Sequence, residues 1–269
     1  MNRTASRTGL LFSLVLGLAA CQGAPDVGTA AEEMTGADDS PLDLGLSTSA
    51  LTSMDAPDPT AAAGAMLGAH DADGCKTRVK DASLPNVVHV YLDNCTGRFG
   101  RHTVSGEIVI TFSPNADGTL HAEHQSVGLT IDGHDATRTA SVDITFEGQM
   151  RHVVWHGEKS TTREGGEEMT RVADHVVDVD RSTGCSVLNG TATMTRGDRV
   201  VDAVLTDLTS CDAPGGGRYC PTGLIEATAE GRPMTMTKTF DGTETVTIER
   251  SGPKGDMTRE VLLDCVPQE

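Results

Sequence analysis

Aromatic side chains are scarce in this chain, with one Trp, two Tyr and five Phe in 269 residues. Such rings supply much of the bulk of a thick core, so a deep two-layer sandwich is disfavoured. Positive charge is short as well: 21 Lys and Arg stand against 39 Asp and Glu, a formal net charge of −18. No basic stripe offsets this, so nucleic acid and anionic membrane surfaces are not expected partners. No Cys-x-x-Cys pair occurs, which argues against a zinc knuckle. Nucleophile-elbow, Walker, zinc-protease and dinucleotide fingerprints are all missing. The sequence therefore offers no catalytic constellation, no metal site and no cofactor.

What is present begins with MNRTASRTGLLFSLVLGLAACQG. Arg3 and Arg7 precede an apolar run, Gly9–Ala20, of about a dozen residues. That is short of the ~20 residues that span a bilayer, and it has the dimensions of a signal-peptide core. The run ends in Leu18-Ala19-Ala20-Cys21, which resembles the lipobox of bacterial lipoproteins. The resemblance implies cleavage before Cys21, acylation of that cysteine and attachment to a membrane through its lipid. Stable attachment takes two or more chains, which that pathway supplies. An ordinary cleaved signal peptide with an incidental cysteine is the plainer alternative. Gln22, in place of the aspartate that retains enterobacterial lipoproteins at the inner membrane, points to the outer membrane of the cell envelope.

Residues 21–69 read as an acidic tether. Gln22–Ala69 holds eight acids and no Lys or Arg, and it has little apolar surface to offset its ordering entropy. One exception is Asp58-Pro59 followed by TAAAGAMLGA, where a cap, a first-turn Pro and good helix formers predict a short helix near 59–69.

Residues 70–269 form the globular part. Removing Cys21 leaves six of the seven cysteines, an even number that in an exported chain reads as disulfides. Cys75, Cys185 and Cys220 each open a strand-like run, and Cys95, Cys211 and Cys265 each close one. Joining each opener to the next closer gives Cys75–Cys95, Cys185–Cys211 and Cys220–Cys265. Between these cysteines the dominant period is two, as in Val142, Ile144 and Phe146 alternating with polar neighbours. Such alternation marks strands with one dry and one wet face. Turn signals punctuate it, among them Asp132-Gly133, Gly165-Gly166 and Asp241-Gly242. The apolar phase slips between Ala122 and Val127, which predicts a β-bulge.

The expected fold is all-β. About twelve mostly antiparallel strands would form a long curved sheet or two shallow sheets, stapled by disulfides, with a closed barrel as the runner-up. A faint internal echo, cysteine then glycine then alternating strand, recurs after Cys95, Cys185 and Cys220. The features LDNCTGRFG, GCSVLNGTATM and CPTGLIEATAEG resemble uncharacterised Cys-paired β-rich lipoproteins of the myxobacterial type, a resemblance that implies no activity.

Several residues are candidates for sites. His121 and His124 should lie on opposite strand faces. His152 and His156 share a face but are roughly 13 Å apart on a strand. Scattered histidines of this kind are expected to be solvated, and His175 half-buried and satisfied. Asp178–Gly184 departs from a calcium loop at Thr183 and Asn189, and Asp71-Ala72-Asp73-Gly74 is shorter still. Arg196-Gly197-Asp198 reads as a hairpin turn, and Glu167-Glu168 as turn surface. The leading functional expectation is a membrane-anchored envelope lipoprotein acting as a non-enzymatic interaction or structural module. The alternatives are a carrier of lipid or another apolar ligand on a concave sheet face, and a hydrolase.

Overall fold

The computed structural model describes residues 48–68, 74–96, 103–162, 166–213, 219–231, 233–253, 255–263 and 265–267. The expected signal peptide 1–20, Cys21, the tether up to residue 47 and Asp71–Asp73 lie outside the described residues.

Two short helices, α1 (Thr48–Ser53) and α2 (Pro59–Gly68), precede thirteen strands. These are β1 (Lys76–Lys80), β2 (Val87–Thr96), β3 (Thr103–Pro114), β4 (Leu120–Ile131), β5 (His134–Glu147), β6 (Met150–Thr162) and β7 (Glu168–Asp180), followed by β8 (Cys185–Arg196), β9 (Arg199–Cys211), β10 (Thr222–Ala229), β11 (Thr235–Asp241), β12 (Thr245–Ser251) and β13 (Met257–Leu262). All thirteen form one antiparallel sheet in which each strand pairs with its neighbours in sequence, from β1 at one edge to β13 at the other. The expected all-β fold is therefore one open sheet, neither two sheets nor a closed barrel.

The alternation sorts the two faces. On β5 the inward residues are Ala136, Arg138, Ala140, Val142 and Ile144; on β6 they are Arg151, Val153, Trp155 and Gly157; on β7, Ala173, His175, Val177 and Val179. Ile110, Phe112, Ile144 and Val177 on this face are wholly buried. A flat single sheet would leave such residues wet. The face instead turns in on itself and around the helices, so that residues from β2 to β8 share one apolar cluster with Leu51, Met54 and Met66. A second cluster, from Met194 to Ile248, lines β8–β12. Small residues such as Ala140, Ala173, Ala192, Ala203 and Ala227 let the face close without aromatic bulk.

Within the tether expected over 21–69, the short helix expected near 59–69 is α2, and residues 48–68 as a whole carry two docked helices where the rest was expected to be flexible. The helices pack on the sheet, α2 against β1–β3 and α1 against β7. Asp58 Oδ1 caps α2 by accepting from Ala61 N at 2.6 Å, and Ala62, Ala63 and Met66 are buried. Buried Arg151 donates through Nε and a terminal nitrogen to the Met54 carbonyl just beyond α1, at 3.0 and 2.7 Å. Arg181 donates to the Thr52 carbonyl and pairs with Asp55. These arginines satisfy carbonyls that a helix end leaves without intrahelical partners. The composition of the segment, averaged over its whole length, hid Leu51, Met54 and Met66.

The structure joins Cys75 to Cys95, Cys185 to Cys211 and Cys220 to Cys265. Cys185 and Cys211 face each other in the β8–β9 register. Each loop of this size contributes about 3–4 kcal/mol through the unfolded chain, less any strain.

The bulge expected in β4 lies between Gln125 and Thr130, where β4 carries one residue more than β5. It recurs elsewhere with the same parts. Gly106 (φ 131°) on β3 crosses Gly128 (φ 57°) on β4, and Gly223 (φ 127°) on β10 crosses Asp207 (φ 48°) on β9. A Cβ on Gly106 would come within 2.6 Å of the Gly128 carbonyl oxygen, and one on Gly223 within 2.6 Å of the Asp207 carbonyl oxygen. Side-chain oxygens steady two positive-φ residues: Asn94 N donates to Ser105 Oγ, and Asp207 N to Asn189 Oδ1. Gly190 and Gly223 are glycines of the sequence echo, and Gly106 lies at the start of the alternating strand in its first copy.

Candidate functional site

The outward face of β2–β7 carries histidines clasped by carboxylates across strands. His89 meets Glu107 and Asp81; His121 meets Asp143 at 2.8 Å and Glu123 at 2.7 Å; His152 meets Asp178, and His156 meets Asp174, each at 2.7 Å. The Glu107 hydrogen bond, then that of Asp81, raises the pKa of His89. Burial opposes the charge on His121, but Asp143 and Glu123 outweigh it and raise its pKa as well. His121 and His124 do lie on opposite faces, and His152 and His156 share one. The solvated histidines expected are thus paired ones. Among the described residues no group of three or more His, Cys, Asp or Glu side chains is arranged to hold a metal ion.

The inward face departs further. His124 and His175 are each 2% exposed, and no ring nitrogen of either has a hydrogen-bond partner. This corrects the reading of His175 as half-buried and satisfied. Its ring leans over Gly190, where a Cβ would stand 2.6 Å from Nδ1, and packs against Trp155 at 5.3 Å between centroids. Burial, and then the charge of Arg138, lowers the pKa of His124 to about 3. Burial and then Arg171 lower that of His175 to about 4, with Asp174 opposing them and Arg138 adding a smaller push downward. Both rings are neutral near pH 7.

Beside them three cations stand abreast. Arg138 on β5 faces Lys159 on β6, which faces Arg171 on β7. Adjacent strands are ~4.8 Å apart, so the row spans about 10 Å. Arg138 is 5% exposed, and Lys159 and Arg171 are half-buried. The Arg138 guanidinium carbon is 5.8 Å from the Trp155 ring centre. Trp155, the sole tryptophan, lies across Gly157, where a Cβ would come within 2.2 Å of the indole carbons. A cavity of about 20 Å³ opens here, lined by Arg138, Trp155, Gly157, Lys159, Arg171 and Ala173, with Glu158 also at its wall. The indole nitrogen of Trp155 is buried without a hydrogen-bond partner.

Sequence reasoning missed this row, although two signals carried it. Arg138, Lys159 and Arg171 occupy the apolar phase of their strands, and the Glu147–Met150 turn pair fixes the β5–β6 register that sets Arg138 opposite Lys159.

The remaining candidate residues have local partners or places in turns. Asp180, in the loop considered for calcium, accepts from Ser182 N and Oγ and from Thr183 Oγ1, and Asp178 is engaged by His152. Arg196-Gly197-Asp198 forms the β8–β9 turn, with Arg196 bound to Glu167 at 2.8 Å. Glu168 accepts from Ser160 at 2.7 Å. No described helix is long and apolar enough to cross a membrane.

The two sheet edges differ. β1 has five residues, of which Lys76, Arg78 and Lys80 are basic, and α2 packs on it. Basic side chains and short length are devices that blunt an edge. β13 carries one base, Arg259, and exposes Met257 and, at 76%, Leu262.

The chain matches no known protein family, no curated protein and no solved structure.

Proposed function

We propose that this chain is a lipid-anchored protein of the bacterial cell envelope that works as a non-enzymatic interaction module, adding an extended segment of a partner protein to its sheet at β13. The observation that carries the reading is the contrast between a β1 edge with three bases and a helix packed on it and a β13 edge with one base and Leu262 76% exposed. An open edge offers unpaired backbone donors and acceptors in a row, which give affinity to an added strand, while alternate side chains give specificity. Leu262 supplies such an apolar contact. The anchor is the acylated Cys21 of the lipobox. Three disulfides support an oxidising compartment, since such bonds persist outside the cytosol.

The reading is tested in the envelope of the protein's own host. A photo-crosslinking residue at position 262 should trap a discrete protein adduct, and one at position 79 on β1 should trap none. Leu262→Lys should reduce partner recovery, and Cys21→Ser should abolish palmitate labelling. Equal trapping at both positions or at neither contradicts the edge, and unchanged labelling contradicts the anchor.

A further inference from the structure

On β10–β13 the charges sort by face. Ile225, Met236, Phe240, Val246 and Ile248 are buried and mark the inward phase. That phase also holds Lys238, Arg250 and Arg259, each with an interaction of its own. The outward phase of these strands carries no base. Its ionised residues are Glu226, Asp241, Glu249 and Glu260, all exposed. In register, Thr237 lies between Glu226 and Glu249, Glu249 faces Thr258 on β13, and Thr247 faces Glu260. Neither Glu249 nor Glu260 has an ion-pair partner among the described residues. A strand added to the edge would meet Thr258, Glu260 and Leu262 on this face, with Leu262 76% exposed.

We propose that the partner segment accepted at β13 is a basic one: an extended strand that sets a Lys or Arg opposite Glu260 and, two positions away on the same face, an apolar residue opposite Leu262. This rests on the strand-addition reading and names the chemistry of its partner. Residues directly opposite across strands interact, and opposite charges so placed attract. Alternation puts both recognised positions on one face of the added strand. A second copy of this chain fits less well. Two-fold pairing of β13 with itself keeps each residue on its own face of the sheet. The registers of greatest overlap pair Met257–Val261 or Thr258–Leu262 with itself in reverse, which sets Arg259 against Arg259 or Glu260 against Glu260. Like charges directly opposite repel. A net charge of −18 also opposes self-association and draws a basic segment.

The full mature protein is titrated with two fluorescent hexapeptides, VIKTTV and VIETTV. With the first Val facing Leu262 in an antiparallel pairing, they differ only in the residue that faces Glu260. Anisotropy should show the Lys peptide binding at least about threefold more tightly than the Glu peptide at low salt, with the difference narrowing in high salt. Glu260→Lys should reverse the preference. Glu226→Lys, the same charge change on β10 and away from the edge, should leave its direction unchanged, which separates a local pair from the field of the whole protein. Circular dichroism verifies that both variants are folded. Equal affinity for the two peptides, no binding of either, or a preference that survives Glu260→Lys overturns the proposal. So does a dimer in sedimentation that Leu262→Lys dissociates. Strand addition itself is judged separately, by the adduct trapped at position 262 in the host envelope. An adduct there without discrimination between the peptides keeps the edge and discards the basic partner.

Discussion

His124 and the clasped histidines of the outward face pull stability in opposite directions with pH. His124 and His175 are held neutral by burial, with pKa values lowered to about 3 and about 4. Below the ordinary histidine value of ~6.5 the unfolded chain binds these protons first, so stability falls as pH drops from there towards 3, by up to about 1.4 kcal/mol per unit of depression. His89 and His121 have raised values. Their contribution is complete below ~6.5 and is lost as pH rises through their folded pKa. Stability should therefore peak near pH 6–7. His124→Leu removes two buried nitrogens that have no partner, and such a replacement is close to neutral or stabilising. Urea titrations across pH should show this variant losing less stability between pH 6.5 and 4 than the parent. An unchanged acid limb would contradict the burial of His124.

The elements are hairpins, and the bulge is their recurrent joint. Gly106 and Gly223 each combine a positive φ with a backbone oxygen 2.6 Å from where a Cβ would stand. Gly106→Ala must strain or displace the crossing strand, and a cost of about 2 kcal/mol or more is expected. Gly64→Ala, on α2 with open space around it, should be neutral or stabilising by up to ~1 kcal/mol. Thermal or denaturant unfolding of the two variants checks the contrast. The strands themselves were legible because a half-buried strand writes its two faces into alternate residues, as in Val142, Ile144 and Phe146. Asp132-Gly133 and Asp241-Gly242 marked turns because their conformations demand those residues. The β4 bulge showed as a phase slip. The buried histidines and the cation row were not read, because a polar residue in the apolar phase acquires its meaning only when neighbouring strands are laid beside it. Helix α1 was missed for a related reason: six residues hold no full amphipathic pattern, and the packing of Leu51 depends on strands far along the chain.

On the scale of the whole molecule, the sheet is a meander in which every pairing is local in sequence and two apolar clusters share the inward face. The N-terminal cluster has α1 and α2 as its cover, whereas among the described residues the C-terminal cluster is built from β8–β12 with Met234 and Leu263 beside them. The open edges, the guarded β1 and the available β13 all depend on the first and last strands remaining apart. The disulfides report on that separation. Cys75 immediately precedes β1 and pairs with Cys95 on β2, and Cys265, after β13, pairs back to Cys220 just before β10, so a bond between Cys75 and Cys265 would join parts of the chain that this open sheet keeps apart. Non-reducing peptide mapping of the mature protein is therefore the most direct test. It should recover Cys75–Cys95, Cys185–Cys211 and Cys220–Cys265 and no other linked pair; a Cys75–Cys265 peptide would contradict the open sheet and, with it, the β13 edge on which the proposed function rests.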